Sequence, residues 1–307
     1  MIRTVSFTTS RAARAIAFIF LSSLCTANLV SAQAPQAQPA AVPDAVRIPR
    51  PTPQEVETAR RSLAEFVRTA DPATREILDR YPDILEVRTP PANTAIIPNL
   101  AQQFRTKHEQ NLEVARQGDI ELLLMGDSIT DFWRNTDGPF AGKSVLDEYF
   151  GGWKIANFGI AGDTTEGVLY RLENGEGRGF SPRAVMLMIG TNNTRRNTAA
   201  EIAEGIGAIV LKLQENFPEA EVLLLGVFPR GGANDPVRQT IAEINGRISQ
   251  LHDGNSVHYL DIGDAFLDED RNIPTGVMSD GLHPSTEGYR IWAEAVREPL
   301  TRLMDAD

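Results

Sequence analysis

The stretch that decides the fold is Ile120-Glu121-Leu122-Leu123-Leu124-Met125-Gly126-Asp127-Ser128-Ile129-Thr130. Apart from Glu121, its first six residues form an apolar run of strand length, the pattern of a strand buried on both faces. Gly126-Asp127-Ser128 then breaks the run with residues that favour turns. Runs of the same kind recur at 154–158, 184–189, 222–227 and 257–260. Amphipathic helical spacing lies between them, at 165–172, 199–215 and 237–251, and 286–304 closes the pattern. Short buried strands alternating with helices predict a parallel sheet covered on both faces. The fold class expected is therefore α/β: a three-layer α/β/α sandwich around a mostly parallel five-stranded sheet. Ligands of such sheets bind beyond the carboxyl ends of the strands, so chemistry is sought in the loops that follow them.

Upstream of this region the sequence changes character. Residues 1–32 read as a secretory signal: Arg3, Arg11 and Arg14 lead a short apolar run, and Val30-Ser31-Ala32 fits a cleavage site. The run is too short to span a bilayer, so no stable membrane insertion is expected once the signal is cleaved. The expected location is exported, periplasmic or secreted. The one cysteine, Cys25, lies inside this segment, which leaves the mature chain no disulfide or thiolate chemistry. Residues 33–53, rich in Ala, Pro and Gln, read as a linker. Residues 54–98 read as a small helical extension, with Asp71-Pro72 opening its second helix, and 99–307 as the main domain. The 307 residues carry a formal net charge of −11, which argues against nucleic acid or anionic membranes as partners.

Four loops hold unusual residues: Gly126-Asp127-Ser128, Gly159-Ile160-Ala161-Gly162-Asp163, Gly190-Thr191-Asn192-Asn193 and Asp280-Gly281-Leu282-His283-Pro284. Acyl transfer by serine needs a base for the hydroxyl proton, a group that orients the base, and donors for the oxyanion. Ser128, at a strand-to-helix turn, suits the nucleophile; His283 suits the base; Asp280, three residues earlier, suits the orienting carboxylate. The N–H groups of Ser128 and Gly162 and the amide of Asn192 are the candidate oxyanion donors. Each tripeptide alone is usually a turn; the four together, in this order after these elements, form the signal.

Those four loops resemble the conserved blocks of the SGNH (GDSL) hydrolase superfamily. Within it, residues 157–165, 169–175 and 228–231 are similar to the branch of the platelet-activating-factor acetylhydrolase catalytic subunits. The resemblance covers about residues 100 to 304. It implies a flavodoxin-like fold, a carboxylic ester hydrolase with Ser128, Asp280 and His283 as catalytic residues, and no metal or cofactor. It also implies a short acyl group, acetyl foremost. Acetylated carbohydrate is the expected substrate of an exported relative; a phospholipid, lysophospholipid or aryl ester is the alternative. A binding protein that kept the fold without turnover is the reading from another class, and the complete Ser-Asp-His set argues against it. A homodimer is compatible with the resemblance.

Asp127, Trp133, Phe228 and Arg230 are the candidate substrate-contacting residues, with Phe132 and Pro229 close by. Asp127 is also expected to brace its turn. Asp127 and Asp163 as a glycosidase pair would leave the serine and histidine unexplained. His108, His252 and His258 show no partner pattern. G-x-S-x-G and H-E-x-x-H are absent, and Gly142-Lys143-Ser144 lacks the upstream glycine of a P-loop.

Overall fold

A computed structural model describes residues 38–305; the expected signal segment at 1–32 and the first part of the linker lie outside them. The apolar runs form one all-parallel sheet of β1 (Leu122–Gly126), β2 (Ile155–Asn157), β3 (Ala184–Met188), β4 (Glu221–Leu225) and β5 (Val257–Leu260), ordered β2-β1-β3-β4-β5. Each strand falls within a residue or two of its expected run.

Successive side chains of a strand face opposite sides, and the sheet feeds two separate cores accordingly. Leu123, Met125, Val185, Leu187, Val222 and Leu224 enter one; Leu122, Leu124, Met186, Met188, Leu223 and Leu225 enter the other. This is why the sequence shows continuous apolar runs rather than alternation.

Nine α-helices occur among the described residues: α1 (Pro53–Thr69), α2 (Pro72–Arg80), α3 (Arg105–Gln117), α4 (Ser128–Asp131), α5 (Lys143–Phe150), α6 (Thr165–Arg171), α7 (Ala199–Asn216), α8 (Pro236–Ile248) and α9 (Thr286–Asp305). Helices α6, α7 and α8 cover the first core; α5 and α9 cover the second. None is long and apolar enough to cross a membrane.

The N-terminal helices start where their caps dictate. Thr52 and Glu55 form a reciprocal capping box before α1, and Asp71 accepts the Ala73 and Thr74 N–H groups before α2. The following segment does not stand apart from the main body. Ala95 and Ile96 are buried, and Asn93 donates to the fully buried Glu204 of α7 at 2.9 Å. Glu204 also accepts the Ile48 N–H at 2.7 Å and the Arg50 guanidinium, so residues on both sides of α1 and α2 are pinned to one carboxylate.

Strand order reverses between β1 and β3, with β2 outside one and β4 outside the other. Loops leaving β1 and β3 diverge at such a switch point and open a crevice at the carboxyl edge. Ser128 follows β1 and Asn192 follows β3.

Candidate active site

Gly126 ends β1 under close constraint. A Cβ there would lie 2.2 Å from Thr130 Oγ1 and 2.3 Å from the Met188 carbonyl. The chain then turns, and Asp127 Oδ1 accepts the Ile129 N–H at 3.0 Å, capping α4. Ser128 is thereby set at the first position of a helix, where backbone N–H groups have no intrahelical acceptor.

Ser128 Oγ lies 2.9 Å from His283 Nε2, and His283 Nδ1 lies 2.6 Å from Asp280 Oδ2. An ionised carboxylate only accepts, so Nδ1 carries the proton and Nε2 is left to accept from the Ser128 hydroxyl. Asp280 Oδ1 accepts the N–H groups of Leu282 at 3.0 Å and His283 at 2.8 Å. Burial pushes the Asp280 carboxyl up, but these hydrogen bonds and the imidazole outweigh it and hold it below the usual carboxylate range.

Gly162 lies in the loop after β2 and lines a pocket together with Asn192. Its φ of +85° is a left-handed conformation that suits glycine, and Phe104 packs 3.4 Å from where a Cβ would stand. Asn192 donates one amide N–H to the Asp163 carbonyl at 2.9 Å, which fixes the amide plane and leaves its second N–H available. Beneath this loop lies a buried ionic chain. Arg171, without exposed surface, donates to Asp163 at 2.9 Å, to the Phe158 carbonyl at 3.0 Å and to Glu176; Glu176 also meets His108 Nδ1 at 2.7 Å. On the other side Arg134 pairs with Asp131 and donates to the Asn157 and Gly159 carbonyls, while Asp131 accepts the Ala161 N–H.

The structure thus joins Ser128, His283 and Asp280 by hydrogen bonds, and separately joins Asn192 to the Gly162 loop through the Asp163 carbonyl, the two also sharing one pocket. Three of the four residues expected to touch substrate are placed otherwise. Asp127 and Trp133 have no exposed surface and Phe228 has 1%. Trp133 packs against Tyr289 and Trp292, and Phe228 against Phe266 and Trp292, because both side chains belong to the second core, where their apolar area is removed from water. Asp127 is a brace only: burial pushes its carboxyl up to about 7, the Ile129 N–H and Arg230 oppose that, and Asp163 adds to it. Its Oδ2 has no hydrogen-bond partner among the described residues. Arg230 alone of the four retains a reachable position, half-buried, with its guanidinium donating to Thr194 Oγ1 at 2.8 Å. Asp163, like Asp127, is fully buried, so no carboxylate pair faces the crevice.

Phe132, noted in the sequence, is joined at the site by residues that sequence reasoning passed over. The rings of Phe132 and Phe140 each lie 5.1 Å from the His283 ring. An open pocket of about 440 Å³ begins at Gly162 and Asn192 and is walled by Asn99, Gln103, Phe104, Glu166, Arg195 and Arg196. The segment at 99–104 shows no periodicity and carries no motif, so its place in this wall depends on tertiary packing alone. His108 and His258 prove to be held by Glu176 and Glu221.

Residues 124–291 match the GDSL-like lipase/acylhydrolase family. The chain is 32% identical over 221 residues to the platelet-activating factor acetylhydrolase IB subunit alpha2 of Rattus norvegicus, covering 70% of this chain and 93% of that protein. It is 33% identical over 206 residues to the alpha1 subunit of Bos taurus, covering 67% and 85%. Among solved structures, a GDSL-like lipase from Bacteroides thetaiotaomicron superposes with a TM-score of 0.52 at 19% identity, covering 65% of this chain and 97% of that one. A lipolytic G-D-S-L family protein from Veillonella parvula gives 0.51 at 20% identity, covering 59% and 98%. At these identities the two structures speak for the fold alone.

Proposed function

The chain belongs to the GDSL-like lipase/acylhydrolase family and is an ester hydrolase; on that premise we propose that it is an exported serine esterase removing short acyl groups, acetyl foremost, from carbohydrate. The observation that carries the reading is the continuous hydrogen-bonded line Asp280–His283–Ser128, at 2.6 and 2.9 Å.

In the proposed first half-reaction His283 Nε2 takes the Ser128 hydroxyl proton as Oγ attacks the acyl carbonyl carbon. The oxyanion is held by the Ser128 and Gly162 N–H groups and the Asn192 amide. The carbon–oxygen bond to the alcohol then breaks, and the leaving oxygen takes the proton from His283. In the second half-reaction water attacks the acyl-enzyme and gives its proton to His283, which returns it to Ser128 Oγ as the acid leaves. Asp280 orients and balances the imidazolium throughout.

The acetyl assignment is supported by relatives named acetylhydrolases. The carbohydrate assignment is supported by the pocket beside Gly162: Asn99, Gln103, Glu166 and Arg196 offer hydrogen bonds suited to hydroxyls, with Phe104 as an apolar face. Export is supported by the charge, apolar run and small-residue site at 1–32. A second reading, an acetylated phospholipid, is favoured by the names of the same relatives.

The experiment is turnover along an acyl series from acetyl to octanoyl on one leaving group, followed by product analysis on acetylated xylan, peptidoglycan and acetylated lysophospholipid. Acetyl release from a glycan with acetyl as the fastest acyl group supports the reading. A rate maximum at six carbons or more, or turnover of the phospholipid alone, overturns it.

A further inference from the structure

Cations near the crevice are mostly neutralised. Arg134 and Lys107 face Asp131, Arg171 is held between Asp163 and Glu176, and Arg196 pairs with Glu166. Arg195 and Arg230 are different. Among the described residues neither makes an ion pair with a carboxylate, in a chain whose net charge is −11.

These two guanidiniums are neighbours. Arg195 lines the pocket that begins at Gly162 and Asn192. Arg230, in the loop after β4, donates to Thr194 Oγ1 at 2.8 Å, and Thr194 is the residue before Arg195. Burial and the like charge of Arg195 hold the Arg230 guanidinium below its usual value, against the pull of Asp235 and Asp127. Asp127 and Asp163 are fully buried, and Glu166 is already engaged by Arg196 and Asn193. Two like charges held close together, opposed on Arg230 only by the exposed Asp235 and the buried Asp127 and by no carboxylate in ion-pair contact, favour a ligand that brings negative charge. Guanidinium forks match the planar oxygens of carboxylate and phosphoryl groups.

We propose that Arg195 and Arg230 form an anion subsite on the Asn192 side of the crevice, and that the substrate is an acyl ester whose alcohol part carries a carboxylate or phosphoryl group. The inference deepens the esterase reading and rests on it. The site then acts in two parts: Asn99, Gln103 and Phe104 of the pocket wall meet the neutral portion of the alcohol, and Arg195 of that wall, with Arg230 beside it through Thr194, meets its charge. The shared chemistry is an anionic oxygen group close to the scissile ester. An acidic sugar and a glycerophosphate are its two sources.

The test uses matched pairs of acetyl esters: acetylated methyl glucoside against acetylated methyl glucuronide, and acetylglycerol against acetylglycerol phosphate. The readout is the ratio of kcat/KM, anionic over neutral, for the natural chain, Arg195→Gln, Arg230→Gln and, as a control at the opposite end of α9, Arg302→Gln, which carries an exposed ion pair with Glu298. The expected ratio is about 10-fold in favour of the anionic member, falling several-fold in either crevice variant and with added salt, mostly through KM. A preference confined to the glucuronide assigns the anion to an acidic sugar; one confined to the phosphate assigns it to a phosphoryl headgroup. A ratio near one in the natural chain, or one that Arg302→Gln lowers as much as Arg195→Gln, overturns the subsite while Ser128-dependent turnover of the neutral esters leaves the esterase reading standing. Failure to cleave any of the four esters overturns both.

Discussion

Tyr289 donates its hydroxyl to the Ile129 carbonyl at 2.7 Å, joining α9, which follows the His283 loop, to α4, which begins at Ser128. The bond fixes the distance between the proposed nucleophile and its base from behind. Burial pushes the Tyr289 phenol well above its usual value, with Asp127 and Asp131 adding to the effect, so the group stays a donor at any working pH.

Tyr289→Phe therefore deletes one hydroxyl from a tightly packed site. Stability should fall by about 1–2 kcal/mol, the cost of stripping a donor from a buried acceptor. kcat should fall by up to about 10²-fold through misplacement of Ser128 against His283, with KM little changed. Loss of stability with kcat intact would make the hydroxyl a packing feature only. Thermal unfolding and steady-state kinetics on one preparation decide it.

Asn192→Ala removes the amide that donates one N–H to the Asp163 carbonyl and has a second N–H to offer. Under the proposed mechanism kcat falls by roughly 10² to 10³, the usual effect of losing one oxyanion donor. A rise in KM alone, on the same acetyl ester, would make Asn192 a ground-state binding residue.

Arg171→Met leaves Asp163 and Glu176 buried without their counter-charge. A cost of about 3–5 kcal/mol is expected from urea unfolding. Adding Asp163→Asn and Glu176→Gln to the same chain should recover much of it, because no charge is then stranded. A single-variant cost below about 1 kcal/mol would show that the buried chain relaxes into solvent.

Asp127 makes stability depend on pH in an unusual direction. Its carboxyl is raised to about 7 in the folded chain. Between an unfolded value of about 4 and that folded value, the folded chain holds a proton that the unfolded chain has lost. Its contribution is thus complete below about pH 4 and is lost as pH rises through about 7. Asp127→Asn keeps an acceptor for the Ile129 N–H and cannot ionise. The stability difference between Asp127→Asn and the natural chain should move in favour of the variant from pH 5 to pH 8. A difference that is flat with pH would contradict the raised value.

The sheet and the central residues of the site were legible for a common reason. Parallel strands buried on both faces leave unbroken apolar runs, and the loops that end them carry Gly126, Gly162, Asn192 and His283 at fixed places in the order. Burial at the same loops was not legible. Trp133 and Phe228 sit next to the crevice in sequence yet point into the second core, since the aromatic cluster with Tyr289 and Trp292 spans residues over 150 apart. Helix α5 was missed because its eight residues carry few periodic positions. Phe104 and Arg195 gave no local signal; each matters only through what α3 and the β3 loop meet across the fold.

The central claim is that Ser128 forms the covalent acyl intermediate. The direct measurement is mass-spectrometric mapping of the adduct left by a short-chain alkylphosphonate, beside acetyl-ester turnover of Ser128→Ala. The account predicts one adduct, on Ser128, and a fall in turnover of several orders of magnitude in a variant that unfolds at the same temperature as the natural chain. An adduct on another residue, or a folded Ser128→Ala chain that still cleaves acetyl esters at a comparable rate, would contradict it.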